Sequence, residues 1–94
     1  MGSYLSKKST STGGTHRVIV YSTPTCPWCT AAKSYLRGQG VSFRDVDVSR
    51  DVAAARNMVH RTGQMGVPVV EIDGQAIVGF DRGRIDAALG LHAA

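Results

Sequence analysis

Only two cysteines, three prolines and one tryptophan occur in this chain of 94 residues, and each scarcity narrows what it can be. A zinc or iron–sulfur site needs about four ligands. The chain offers only Cys26 and Cys29 plus His16, His60 and His92, and those histidines follow none of the usual paired spacings, so no metal site within one chain is expected. No apolar run is long enough to span a membrane. Low-complexity bias is absent too, leaving the composition of an ordinary soluble globular protein. A continuous basic stripe is also missing. The net charge is +4, yet without Lys7 and Lys8 in the polar opening, nine basic residues face seven acidic ones. The other arginines sit among aspartates, as in Arg44-Asp45, Arg50-Asp51 and Asp81-Arg82, which is the pattern of a solvated surface. Neither nucleic acid nor membrane is an expected partner.

The opening MGSYLSKKSTSTGGT has almost nothing to bury. Residues 1–15 are therefore expected to be a disordered tail or an expression remnant, and residues 16–94 a single domain. The opening has no signal-peptide pattern, so the reducing cytoplasm is the expected compartment. There a close cysteine pair is more often catalytic or metal-binding than a structural staple.

Within the domain, Arg17-Val18-Ile19-Val20-Tyr21 is an apolar, β-branched run that suits a strand buried on both sides. Pro27 then stands where a helix can begin at no cost in hydrogen bonds. Cys29, Ala32 and Leu36 share one face of that helix with Tyr35 alongside, and Gly38 and Gly40 stop it. Val41 to Val48 reads as a second strand, although its apolar phase slips before Val46. Ser49 is the predicted N-cap of a second helix, with Val52, Ala55 and Val59 on one face and Gly63 closing it. Asp73-Gly74 between two apolar runs predicts a hairpin. Asp81 caps a last helix carrying Ile85, Ala88 and Leu89. The order βαβαββα predicts an α/β domain: one mixed four-stranded sheet with helices on both faces.

The chemistry lies in Cys26-Pro27-Trp28-Cys29, between the buried strand and the first helix. Cys26 precedes the helix, where free backbone N–H groups and the positive end of the dipole favour a thiolate. Cys29 is one turn inside, on the apolar stripe, and should be shielded. Cys26 is thus the expected attacking sulfur and Cys29 the resolving one. A purely structural disulfide is the plainer alternative, but so small a loop removes little unfolded-state entropy.

Tyr21 to Cys29, with the sequence YSTPTCPWC, resembles the active-site segment of glutaredoxins and their relatives in the thioredoxin superfamily. Gly66-Val67-Pro68-Val69-Val70 is similar to that superfamily's cis-proline loop, and Val78-Gly79-Phe80-Asp81 to the glutaredoxin glycine-aspartate motif. The resemblance implies a thioredoxin-like fold and a dithiol–disulfide oxidoreductase acting on protein or mixed disulfides. It implies no bound cofactor, with glutathione as a co-substrate or a thioredoxin-reductase-type partner as electron donor. It also implies a cis Val67-Pro68 bond facing Cys26, with the Val67 backbone pairing with an extended substrate. Thr25, Trp28, Gly79 and Phe80 join them in the substrate- or glutathione-binding surface. Asp81 matches the aspartate that holds the amino end of glutathione, although an N-cap role alone would also explain it. A monomer is expected.

Three departures stand out. Glutathione-using members carry a lysine where this chain has Thr23, a threonine where it has Gly66, and a second aspartate where it has Arg82. Arg61 and Gln64 are the remaining candidates to hold glutathione. The pattern also resembles bacterial glutaredoxin-like proteins reduced by thioredoxin reductase. Trp28 is expected to be exposed, as part of a hydrophobic docking surface. A different class of function stays open: an iron–sulfur or metal carrier in which two chains each supply Cys26. Pro27, directly after that cysteine, is unfavourable for it.

Overall fold

The computed structural model describes residues 16–91, so the expected disordered tail over residues 1–15 lies outside the described residues. Seven elements follow in the expected order: β1 (Val18–Ser22), α1 (Pro27–Gly38), β2 (Arg44–Asp47), α2 (Val52–Thr62), β3 (Val69–Ile72), β4 (Gln75–Val78) and α3 (Arg82–Leu89). The strands form one sheet in the order β2-β1-β3-β4. β1 and β2 run parallel, with Tyr21 opposite Val46. β3 runs antiparallel to β1, with Val69 opposite Tyr21, and β4 antiparallel to β3, with Val78 opposite Val69. This register brings three loops to one end of the sheet: the segment leaving β1, the segment entering β3, and the segment leaving β4.

Alternation along the strands sorts the core into two layers. Val18 and Val20 of β1, Val70 and Ile72 of β3, and Ile77 of β4 pack with Ala32 and Leu36 of α1 and Ile85 and Leu89 of α3. Tyr21 and Val69 face the other way, onto Met58 of α2, with Ile19, Val46, Ala54, Val67 and Ala76 packed around them. Each fully buried side chain of this size contributes about 1.5–3 kcal/mol relative to exposure. The hairpin turn is as expected: Asp73 (φ 51°) and Gly74 (φ 88°) both take the positive φ that a tight two-residue turn needs.

One expectation for α2 is corrected. Its N-cap is Asp51, whose carboxylate accepts the Ala54 N–H at 2.9 Å. Ser49 instead donates both its N–H (2.9 Å) and its hydroxyl (2.6 Å) to Asp47 Oδ1, in a local turn that ends before the helix begins at Val52. Ala54 and Met58 pack beneath the sheet, whereas Val52, Ala55 and Val59 share another face, with Val52 exposed and Ala55 and Val59 half-buried along a surface groove. Val52 is 66% exposed. Both stripes have helical spacing, and the one carrying Met58 is the one that packs on Tyr21 and Val69 beneath the sheet. The second strand is also shorter than Val41–Val48. Val41 is buried in the core before the strand begins, and β2 at the sheet edge keeps only Arg44–Asp47. Among the described residues no helix is long and apolar enough to cross a membrane.

Candidate active site

Cys26 is the N-cap of α1, in an extended conformation (φ −94°, ψ 111°), with Pro27 at the first helical position. Its backbone N–H reaches back to Thr23 O at 3.4 Å, and its carbonyl accepts the Thr30 N–H at 3.2 Å. The side chain completes the cap in an unusual currency, because Sγ takes the place of a serine or aspartate oxygen. It accepts the Cys29 N–H at 3.1 Å, so an otherwise orphaned helix donor points at the sulfur. Cys26 Sγ also lies 3.9 Å from Val67 O. Both cysteines are free thiols, Cys26 partly exposed and Cys29 buried.

Cys29 has no exposed surface at all. Burial pushes its thiol up to about 11 from an ordinary 9.0, and its hydrogen bond with Cys26 adds to the rise. A backbone hydrogen bond from Thr23 and the Lys33 charge act in the opposite direction. The two sulfurs therefore differ in access, as the sequence led one to expect.

Beside Cys26 lies an open groove of about 310 Å³, lined by Trp28, Val67, Pro68, Gly79 and Phe80. Every lining side chain is uncharged. The Val67-Pro68 bond is cis, as the resemblance implied. The Gly79 N–H donates to Pro68 O at 2.8 Å, tying the exit of β4 to the proline loop, and Gly79 turns at φ 83°. Trp28 is 66% exposed, which matches its expected place on the surface. The Phe80 ring is held from behind by Tyr35, with centroids 5.7 Å apart and planes inclined by 57°.

Seven of the nine expected site residues thus meet at one end of the sheet. Thr25 is exposed next to Cys26 but does not line the groove. Asp81 is outside the groove lining too; its carboxylate accepts the Arg84 N–H at 3.1 Å as the cap of α3. Two candidates for a compensating glutathione contact are turned elsewhere. Arg61 pairs with Glu71 at 3.4 Å and reaches the hairpin at Gly74 O, at the far end of β3. Gln64 clamps its own loop, accepting the Gly66 N–H at 2.9 Å and donating to Gly66 O at 3.2 Å.

Sequence reasoning passed over two polar groupings. Lys33 Nζ pairs with Asp45 at 2.8 Å, and Ser22 Oγ donates to the same carboxylate at 2.7 Å. The available signal was the four-residue step from Cys29 to Lys33, which places both on one helical face. On the other side of the sheet, buried Glu71 takes the Tyr21 hydroxyl at 3.3 Å, and Asn57 donates to that hydroxyl at 3.3 Å.

Comparison with known proteins agrees with this arrangement. The sequence profile of the family described as Glutaredoxin matches residues 18–77. The chain is 48% identical over 69 residues to an uncharacterized glutaredoxin-like 8.6 kDa protein in the rubredoxin operon of Clostridium pasteurianum, across 73% of this chain and 92% of that one. It is 39% identical over 64 residues to glutaredoxin 3 of Escherichia coli K12, across 68% of this chain and 77% of that one. Its fold superposes with a TM-score of 0.64 on NrdH-redoxin of Escherichia coli, described as a glutaredoxin-like protein with a thioredoxin-like activity profile. That structure is 28% identical, with 83% of this chain and 97% of that one covered. With a mixed four-stranded thioredoxin-like sheet and a cysteine pair at the mouth of its first helix, the chain belongs to the glutaredoxin family of thiol–disulfide oxidoreductases.

Proposed function

We propose that the protein is a dithiol reductase of protein or mixed disulfides in which Cys26 attacks and Cys29 resolves. The observation that carries this reading is the asymmetry of the pair. Cys26 is partly exposed, with Sγ 3.9 Å from Val67 O and receiving a helix N–H, whereas Cys29 is sealed one turn behind it. An N–H aimed at sulfur solvates the negative charge of an attacking thiolate. In the first step the Cys26 thiolate attacks one sulfur of the substrate disulfide, the S–S bond breaks, and the other sulfur leaves as a thiol. In the second step Cys29 attacks Cys26 Sγ and releases the remaining substrate thiol. The enzyme ends as a Cys26–Cys29 disulfide, and a donor must return two electrons.

The groove suits an extended segment. Val67 presents its carbonyl toward Cys26, and Pro68, having no N–H, leaves the sulfur uncrowded. Because the lining is uncharged, little in the groove would hold a small anion such as glutathione. The reading therefore favours a protein reductase docking on the exposed Trp28 surface, in keeping with the thioredoxin-like activity profile described for NrdH-redoxin. The protein would act as a monomer in the reducing cytoplasm.

The test is trapping. Cys29→Ser should accumulate a mixed disulfide on Cys26 when mixed with a disulfide substrate, and Cys26→Ser should not react. Equal residual activity in the two variants would overturn the assignment. A coupled assay comparing glutathione plus its reductase with thioredoxin reductase then identifies the donor.

A further inference from the structure

Lys33 lies one turn after Cys29 in α1, at the spacing that sets two side chains side by side on a helix face. Its ammonium is held in place. Nζ donates to Asp45 Oδ2 at 2.8 Å, and the side chain is only 19% exposed. Asp45, on edge strand β2, is itself fixed by the hydroxyl of Ser22 at the buried end of β1. Burial would raise the Asp45 carboxyl, but the hydrogen bonds from Lys33 and Ser22 outweigh it and hold the group below the ordinary carboxylate range. Asp45 therefore stays a carboxylate at neutral pH. A lysine–aspartate pair at the surface contributes little to stability, so this chain of two contacts calls for another reason.

The dithiol reading, on which this inference rests, supplies one. Only a thiolate attacks a disulfide, and burial of Cys29 opposes its ionisation. The groups around it can be named. From the segment before α1 come Cys26 and a Thr23 backbone hydrogen bond, and from its own helix comes Lys33. From β2 comes Asp45, bonded to Lys33 and also under the influence of Arg37 further along α1. On α3, Asp86 is engaged with the Tyr35 hydroxyl, and Arg82 lies over the Tyr35 ring. The proline loop offers only Val67 and Pro68. Lys33 is thus the cation set on the Cys29 face.

We propose that Lys33, anchored by Asp45 and Ser22, is a positioning residue that stabilises the Cys29 thiolate during the resolving step. In that step Cys29 gives its proton to solvent and its sulfur attacks Cys26 Sγ. The bond from Cys26 to the substrate sulfur breaks as the Cys26–Cys29 bond forms, and the substrate leaves as a thiolate. The substrate is reduced and the cysteine pair oxidised.

Stopped-flow reaction of the reduced protein with an equimolar amount of dithiobis(nitrobenzoate) separates the two steps. Capture by Cys26 releases one coloured thiolate, and resolution by Cys29 releases the second. Lys33→Met should leave the first phase unchanged, slow the second at neutral pH, and move its pH midpoint upward. Each pH unit of upward movement should slow the second phase about three- to four-fold, because the gain in thiolate nucleophilicity offsets part of the tenfold loss in thiolate population. Lys33→Gln, which keeps a donor for Asp45, should show the same shift, and Lys33→Arg should restore the native profile. A midpoint that stays put in both neutral variants would overturn the proposal, even if their thermal stability fell. Cys29→Ser serves as the control. If it still released the second thiolate, the dithiol reading itself would fail, whereas loss of that phase together with an unmoved midpoint in the Lys33 variants would sink only the role of Lys33.

Discussion

The guanidinium of Arg82 sits 4.6 Å from the centre of the Tyr35 ring, a cation–π contact that fastens the start of α3 to α1. The Tyr35 hydroxyl also bonds to Asp86 on the same helix as Arg82. The resemblance to glutathione-using glutaredoxins led one to expect an aspartate at this position. Here the residue serves the packing of two helices and contributes nothing to the groove lining.

The missing charge can be put back at Thr23. This residue is half-buried beside the Cys26 backbone, where the family lysine would stand. A charge-assisted hydrogen bond contributes about 1.5–3 kcal/mol, or roughly one to two factors of ten in affinity. Thr23→Lys should lower the KM for glutathione by about tenfold at low salt, with the gain shrinking as salt screens the pair. Steady-state kinetics across ionic strength checks this. A native protein that already saturates with glutathione as readily as the variant would contradict it.

Cys29 makes the reduced protein sensitive to alkali. The native thiol holds its proton up to about 11, while the unfolded thiol releases it near 9.0. Between those values the unfolded state binds fewer protons, so stability falls as pH rises. The loss across that window is on the order of 2 kcal/mol. Denaturant midpoints of the reduced protein should decline more steeply from pH 9 to 11 than those of Cys29→Ser. At neutral pH, iodoacetamide should modify Cys26 alone, as mass spectrometry of the peptides would reveal.

Local signals explain which features were legible before the structure. The stripe Cys29, Ala32 and Leu36 buried as its spacing required, and Asp73-Gly74 formed the turn its dihedral needs dictate. The cysteine asymmetry followed from Pro27, which starts the helix after Cys26, together with the apolar stripe of Ala32 and Leu36 that Cys29 joins. Two helical stripes competed in α2, and only packing against Tyr21 and Val69 could choose Met58 over Val59. Ser49 lost the capping role to Asp51 because Asp47, two residues earlier, engaged it first. The ties from Lys33 to Asp45 and from Glu71 to Tyr21 and Arg61 join residues on different elements, so no window of sequence displays them.

Asp81 offers a clean separation of two roles. Its carboxylate caps α3 through the Arg84 N–H, and an N-cap aspartate is worth about 1 kcal/mol over alanine. Asp81→Ala should lower stability by that amount, and Asp81→Ser should recover most of it. Glutathione-dependent turnover should follow stability in both variants. Turnover lost in the serine variant at native stability would show instead that the carboxylate itself meets the co-substrate.

Arg61 was a candidate for the glutathione carboxylate, and its position in the fold assigns it a different task. Glu71 is buried in the sheet, with 7% of its surface exposed, and a carboxylate in that setting is tolerable only with partners. Arg61 provides the charge at 3.4 Å and Tyr21 a hydroxyl at 3.3 Å, while Asn57 orients the tyrosine. Removing the cation leaves Glu71 with a neutral partner only. Arg61→Leu should therefore destabilise the protein by about 1–3 kcal/mol, less than a fully buried pair would lose because the Arg61 side chain is 41% exposed. Substituting both residues, Arg61→Leu with Glu71→Leu, should recover part of that loss, since two apolar side chains leave no buried charge behind. Chemical denaturation of the single and double variants measures both effects. The KM for glutathione should not change in either protein, because Arg61 reaches Gly74 at the end of the sheet opposite Cys26. A raised KM at unchanged stability would return Arg61 to the binding site.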